Sequence, residues 1–150
     1  MRLSLVFTAL LAFVLVSCKQ DLGITILTAS ALPLDGNQLV PARPGAGNGT
    51  MDLAYNKTTR VLTYTVKWNS LSGAPTRIGI HGPAGAGFNS AAIQNLTSGF
   101  TAAATGTFTG TFLVDGLVVK EADLLRGGFY LVVGTAAAAA GEIRGQILVK

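Results

Sequence analysis

Between Val61 and Trp68 the chain alternates strictly. Leu62, Tyr64, Val66 and Trp68 fall on one face, and Val61, Thr63, Thr65 and Lys67 on the other. A period of two is the mark of a half-buried strand, with the first set facing the core. Trp68 as a platform for a ligand is the sharper alternative to a core role. The polar four-residue link Asn56 to Thr59 has hairpin length and joins this strand to a preceding one at Gly49 to Tyr55.

The same pattern, in shorter pieces, recurs along the chain. Ile24 to Leu32, Thr76 to Ile80, Ala91 to Leu96, Gly106 to Phe112, Phe129 to Val133 and Glu142 to Val149 all read as strands. Pro33, Asp35-Gly36, Pro41 and Pro44-Gly45 break the chain into a loop after the first of them. The segment Lys120 to Arg126 has the spacing of a single helical turn, ended by Gly127-Gly128. Ala136 to Ala140 favours helix intrinsically but is too short to nucleate one, and is expected to be a loop between antiparallel strands. About eight short strands with one helical turn predict an all-β fold, an antiparallel Greek-key sandwich or barrel of the superoxide-dismutase or immunoglobulin type.

The N-terminus departs from this pattern. Arg2 precedes an apolar run, Leu3 to Val16, interrupted by Ser4 and Thr8. It is shorter than the roughly 20 residues a membrane span needs and fits a secretory signal. Leu15-Val16-Ser17-Cys18 reads as a lipobox, with Cys18 the acylated first residue of the mature chain. Residues 1–17 are therefore expected to be a lipoprotein signal peptide, 18–23 a lipidated tether and 24–150 the domain. The implied partner is a lipid bilayer and the implied address a bacterial cell envelope, the outer membrane where the host has one.

Cys18 is the single cysteine of the chain, so no internal disulfide forms. Removing 17 of the 150 residues leaves 133, enough for one domain with its own core. The net charge of +4, to which Arg2 contributes one, is spread over isolated Lys and Arg residues. No basic run marks a nucleic-acid groove, and export makes that partner unsuitable.

Two segments carry the most specific wording in the chain: Ile80-His81-Gly82-Pro83-Ala84-Gly85-Ala86-Gly87 and, about sixty residues later, Gly141-Glu142-Ile143-Arg144-Gly145-Gln146. With Leu34 to Pro41 and Leu125 to Tyr130, in that order, they resemble the CHRD domain, the module repeated in chordin and found alone in bacterial envelope proteins. The resemblance runs from about Ile24 to Val149. It implies a sandwich likened to copper/zinc superoxide dismutase and, in many members, histidines at two positions that are Gly79 and Gly134 here. Leu39 stands where the family's early element has glutamate.

His81 is thus the sole histidine of the chain. Copper and zinc sites built on imidazole need two or three nitrogen or sulfur ligands, so no metal and no cofactor are expected. Glu142 and Arg144, two apart on one strand, read either as an ion pair or, with His81, as a ligand-facing cluster. No G-x-S-x-G accompanies the serines, and the glycine loop lacks the Lys-Ser/Thr ending of a phosphate loop. The expected function is a non-enzymatic, membrane-anchored lipoprotein with a binding or structural role, its ligand an envelope protein or polysaccharide. The alternatives are a dismutase-like metal-binding redox protein and a carbohydrate or small-ligand binder, for which Phe88 and Phe100 are the loop aromatics.

Overall fold

Strict alternation becomes the wall of the core. The computed structural model describes residue 23 and residues 25–150, so the signal peptide, Cys18, most of the tether and Ile24 lie outside the described residues. Strands β1 (Ile26–Asp35), β2 (Asn48–Asn56) and β3 (Val61–Asn69) form an antiparallel meander. Leu62, Tyr64, Val66 and Trp68 of β3 are all buried, as their period requires. The indole Nε1–H of Trp68 donates to the Ala103 carbonyl at 2.9 Å, so Trp68 is a core residue.

Five more strands follow: β4 (Pro75–His81), β5 (Ala92–Leu96), β6 (Gly106–Leu113), β7 (Phe129–Thr135) and β8 (Ala138–Ile147). The eight make one antiparallel sheet in the order β5-β4-β7-β8-β1-β2-β3-β6. It curls into a nearly closed barrel around Leu34, Met51, Tyr55, Ile78, Ile80, Phe129, Leu131, Ile143 and Ile147. The expected all-β Greek-key class is what the chain adopts, as a barrel with one 3-10 turn and one short α-helical turn.

That turn, α1 (Glu121–Leu125), ends as its sequence suggests. Gly127 adopts φ +75°, and the Gly128 amide donates to the Asp123 carbonyl at 2.7 Å. This is the closing geometry that glycine supports without a Cβ penalty. Two strands differ from expectation. β1 does not stop at Pro33: a bulge at Ala31, φ +54°, shifts the register, and pairing with β2 resumes at Leu32 and runs to Asp35. The alanine run is not a loop either. Ala136 and Ala137 make a tight turn, and Ala138 pairs with Thr135 to open β8.

The sheet's two edges, β5 and β6, are tied by one side chain. Gln94 on β5 accepts from the Tyr64 hydroxyl at 2.8 Å and donates to the Thr111 carbonyl of β6 at 2.9 Å. Burial pushes the Tyr64 phenol up to about 12. Gln94→Ala leaves that hydroxyl buried without an acceptor and is expected to lower stability by about 1–3 kcal/mol, against about 1 kcal/mol for Tyr64→Phe. Urea unfolding of the two variants checks the order.

Candidate functional site

β4, β7 and β8 are neighbours, and their outward faces carry the chemistry. His81 pairs with Tyr130, Tyr130 with Gln146, and Val132 with Arg144. Tyr130 therefore stands between His81 and Arg144. Its ring stacks on the imidazole at 5.1 Å between centroids, inclined by 16°. The Arg144 guanidinium carbon lies 3.5 Å from its centroid. The structure thus brings His81 and Arg144 to one site through an aromatic ring.

A strap covers this face. Asp35 ends β1 and caps a 3-10 turn, Gly36–Gln38, by accepting from the Asn37 amide at 2.8 Å and the Gln38 amide at 3.2 Å. Gln38 reaches back to the Pro33 carbonyl at 2.8 Å. The strap then runs through Leu39 to Arg43, and the Arg43 amide returns to the Gly36 carbonyl at 2.8 Å. Asn89, in the loop after β4, clasps it by donating to the Val40 carbonyl at 2.6 Å. Between strap and sheet lies a cavity of about 510 Å³, lined by Leu39, Val40, Arg43, His81, Tyr130 and Arg144 among others. All four sequence segments singled out above contribute to it: the strap, His81 and its following loop, Tyr130, and Gly141 with Arg144.

Arg144 is the unusual member. It is 1% exposed. Its terminal nitrogens donate to Asn89 Oδ1 at 3.4 Å, the Gly85 carbonyl at 3.3 Å and Gln146 Oε1 at 3.3 Å. All three acceptors are neutral, and all three bonds are longer than the roughly 2.7–2.9 Å of a charge-assisted pair. Burial lowers its pKa, partly offset by Tyr130. Asp35, its register partner on β1, turns its carboxylate to the 3-10 turn instead.

Glu142 goes elsewhere. It accepts from the Ser72 amide at 2.6 Å, the Ser72 hydroxyl at 2.5 Å and the Thr135 hydroxyl at 2.6 Å. It lines a separate, smaller cavity with Ser72, and Arg43 is the residue that lines both. The cause is a bulge: pairing passes from Val133↔Ile143 to Thr135↔Ala138, which interrupts the ladder at Glu142 and re-aims it. The Glu142–Arg144 ion pair expected from their spacing is not among the ion pairs of the described residues.

His81 is held firmly. Its Nδ1 lies 3.0 Å from the Ser90 carbonyl, which makes Nδ1 the protonated donor, and Nε2 is buried with no partner. Burial lowers its pKa, opposed by the Ser90 bond and reinforced by the charges of Arg77 and Arg144. An ideal Cβ on Gly79 would lie 3.2 Å from that Nε2, so the imidazole has moved over the position the resemblance gives a second histidine. Gly134 packs beside the Ala139 carbonyl. One imidazole so placed does not fit the donor set of a copper or zinc site, and among the described residues no three His, Cys, Asp or Glu gather.

Tyr130 belongs to a segment visible in the sequence, but its role as the spacer between imidazole and guanidinium was not. Nothing in the sequence marks Asn89 or Arg43 as parts of a site.

Burial pushes the Glu142 carboxyl up, but the bonds from Ser72 and Thr135, with Arg43 nearby, outweigh it and hold the pKa below the usual range. A lowered folded-state pKa adds stability that is full above the unfolded value, about 4.3, and fades as pH falls through the folded one. Glu142→Gln is therefore expected to be less stable than the parent at pH 7, and the gap should narrow below about pH 4. Thermal unfolding across that range measures it.

Comparison with known proteins agrees with this anatomy. Neither the curated proteins nor the solved structures give a match to the chain. The family model of the CHRD domain matches residues 31–147, from the β1 bulge to the end of β8, which includes the strap, the glycine loop, Tyr130 and Arg144. The chain belongs to the CHRD domain family.

Proposed function

We propose that this CHRD protein is a lipid-anchored component of the bacterial envelope, and that its barrel acts by binding and not by catalysis. Cys18 carries the acyl chains; where the host has two membranes, the outer one is the destination. The observation that carries the reading is the character of the barrel end at which the chain enters β1.

Ile26 pairs with Asn56 at that end, beside the β2–β3 turn. The Lys57 amide donates to Thr25, the Val114 amide to Arg60 and the Thr28 amide to Lys150. Lys57 also pairs with Glu121 of α1 at 3.5 Å. The loop after β6, α1 and the last residues of the chain therefore all meet there. The same end carries Ile26, Leu113, Leu117, Val118, Leu125 and Leu148, all exposed; Leu117 is 81% and Val118 67% accessible. Arg60, Lys120 and Lys150 lie among them in the chain and are in none of the ion pairs of the described residues, while Lys57 and Arg126 are paired with Glu121 and Asp123. Apolar side chains within a basic rim suit an anionic lipid surface, where each cation contributes about 1 kcal/mol. The eight residue steps from Cys18 to Ile26 span at most about 28 Å, so the tether keeps this end at the membrane.

The side cavity supports binding over chemistry. His81 has both ring nitrogens turned into protein, one bonded and one buried, so it is not placed to exchange a proton with a bound molecule. An envelope protein or polysaccharide remains a partner for the exposed loops.

Cys18→Ala is expected to lose incorporation of labelled fatty acid and to leave the membrane fraction; unchanged anchoring refutes the lipid reading. In the same unlipidated chain, Leu117→Asp with Val118→Asp should reduce sedimentation with anionic vesicles by about tenfold, since both side chains stay in water.

A further inference from the structure

We propose that the cavity between the strap and the β4-β7-β8 face binds a small organic monocarboxylate with an apolar body, its carboxylate held by Arg144. This rests on the binding reading of the barrel and gives that reading a ligand class.

Three observations converge. First, Arg144 is a buried cation with no anionic partner among the described residues. Its acceptors are two side-chain amides and a backbone carbonyl, none closer than 3.3 Å. The two carboxylates nearest in sequence or register, Glu142 and Asp35, are each occupied by other donors. A buried charge is costly unless an opposite charge or strong hydrogen bonds compensate it. A planar guanidinium fork matches a carboxylate edge, two N–H donors to two oxygens.

Second, the cation is already oriented. The Tyr130 ring lies against it, and the Tyr130 hydroxyl is itself fixed by the Ser90 amide at 2.8 Å and by donating to the Ser90 carbonyl at 3.1 Å. A group held in place before binding loses little freedom when the ligand arrives.

Third, the walls limit the ligand. Leu39, Val40, Pro41, Ala42 and Val132 present carbon to the cavity. Its further cation, Arg43, is exposed at the mouth and engaged with the Ala137 carbonyl at 3.2 Å. One buried cation facing an apolar wall suits a monoanion with a hydrocarbon body. A phosphate dianion would leave its second charge against leucine, valine and proline. Cavities of this kind, mostly apolar with few fixed polar groups, are the usual form of small-ligand sites.

The test titrates the full chain, purified with its lipid in detergent, with benzoate, benzamide and inorganic phosphate, following the side-chain N–H signals of arginine by NMR. Benzoate should saturate the Arg144 signal, benzamide should not, and phosphate should bind more weakly than benzoate. Arg144→Lys keeps the charge but loses the fork and should weaken benzoate by roughly tenfold, the loss of one charge-assisted bond. Ala42→Trp fills the mouth from an exposed position and should abolish saturation without lowering the melting temperature, which guards against an Arg144 variant that misfolds. Equal response to benzoate and benzamide, tighter binding of phosphate, or benzoate affinity unchanged in both variants would overturn the assignment. A chain that keeps its fatty-acid label and membrane association but shows no benzoate saturation sinks this ligand class and leaves the anchored binding role standing.

Discussion

β1 and β8 touch closely because position 145 has no side chain. A Cβ on Gly145 would sit 2.7 Å from Leu34 Cγ and 2.8 Å from the Pro33 carbonyl, both too near for real atoms. Close packing tolerates no such overlap. Gly145 therefore sets where the two halves of the sheet join, at the Asp35↔Arg144 pair. The site depends on that junction. Only when β1 ends beside Arg144 does the 3-10 turn leave Asp35 in the direction that carries Leu39 to Arg43 over the outer face. The segments Leu34 to Pro41 and Gly141 to Gln146 are thus two sides of one contact. Gly145 admits Leu34, and Leu34, 1% exposed, anchors the base of the strap in the core.

The strap in turn creates the electrostatic situation. On an open sheet face, Arg144 would reach water and need no partner. Under the strap it is almost wholly covered, and water screens it far less. Tyr130 supplies its ring face, and Asn89, Gly85 and Gln146 supply oxygen dipoles. These neutral groups hold the guanidinium without neutralising it. The bulge that sends Glu142 to Ser72 has the same consequence from the other side: it withdraws the carboxylate that a regular strand would have set two residues from Arg144, on the same face.

This explains how much of the molecule was legible in the sequence. The β2–β3 hairpin was, because Leu62 to Trp68 alternate without a break and one face is fully buried. The closing of α1 was, because Gly127-Gly128 is local punctuation. The ends of β1 and the start of β8 were not. Pro33 looks like a stop but sits within the ladder beyond a bulge, and Ala138 is drawn into β8 by pairing with Thr135, not by strand propensity. The site divides the same way. His81 and Arg144 stood out as residue types in distinctive segments. Their meeting, and the loss of Glu142 from their group, depended on Tyr130, on Ser72 seventy residues from Glu142, and on Asn89, none of which the spacing of polar residues encodes.

The glycine at position 79 connects the family resemblance to this particular chain. With a side chain there, the His81 ring would have to shift by a few tenths of an ångström, since its Nε2 would be 3.2 Å from the new Cβ, tighter than nine in ten real contacts. Glycine lets the imidazole fold down over its own strand, bond Ser90 through Nδ1 and stack on Tyr130. That stack steadies the phenol ring, and the Arg144 guanidinium carbon lies 3.5 Å from the centroid of that ring. A histidine at the same position would compete for this space and point a second imidazole out of the sheet on the same side. Glycine, where the resemblance implies a histidine, therefore does more than leave out a donor. It leaves a face in which a single imidazole braces an aromatic ring, and that ring lies against a cation.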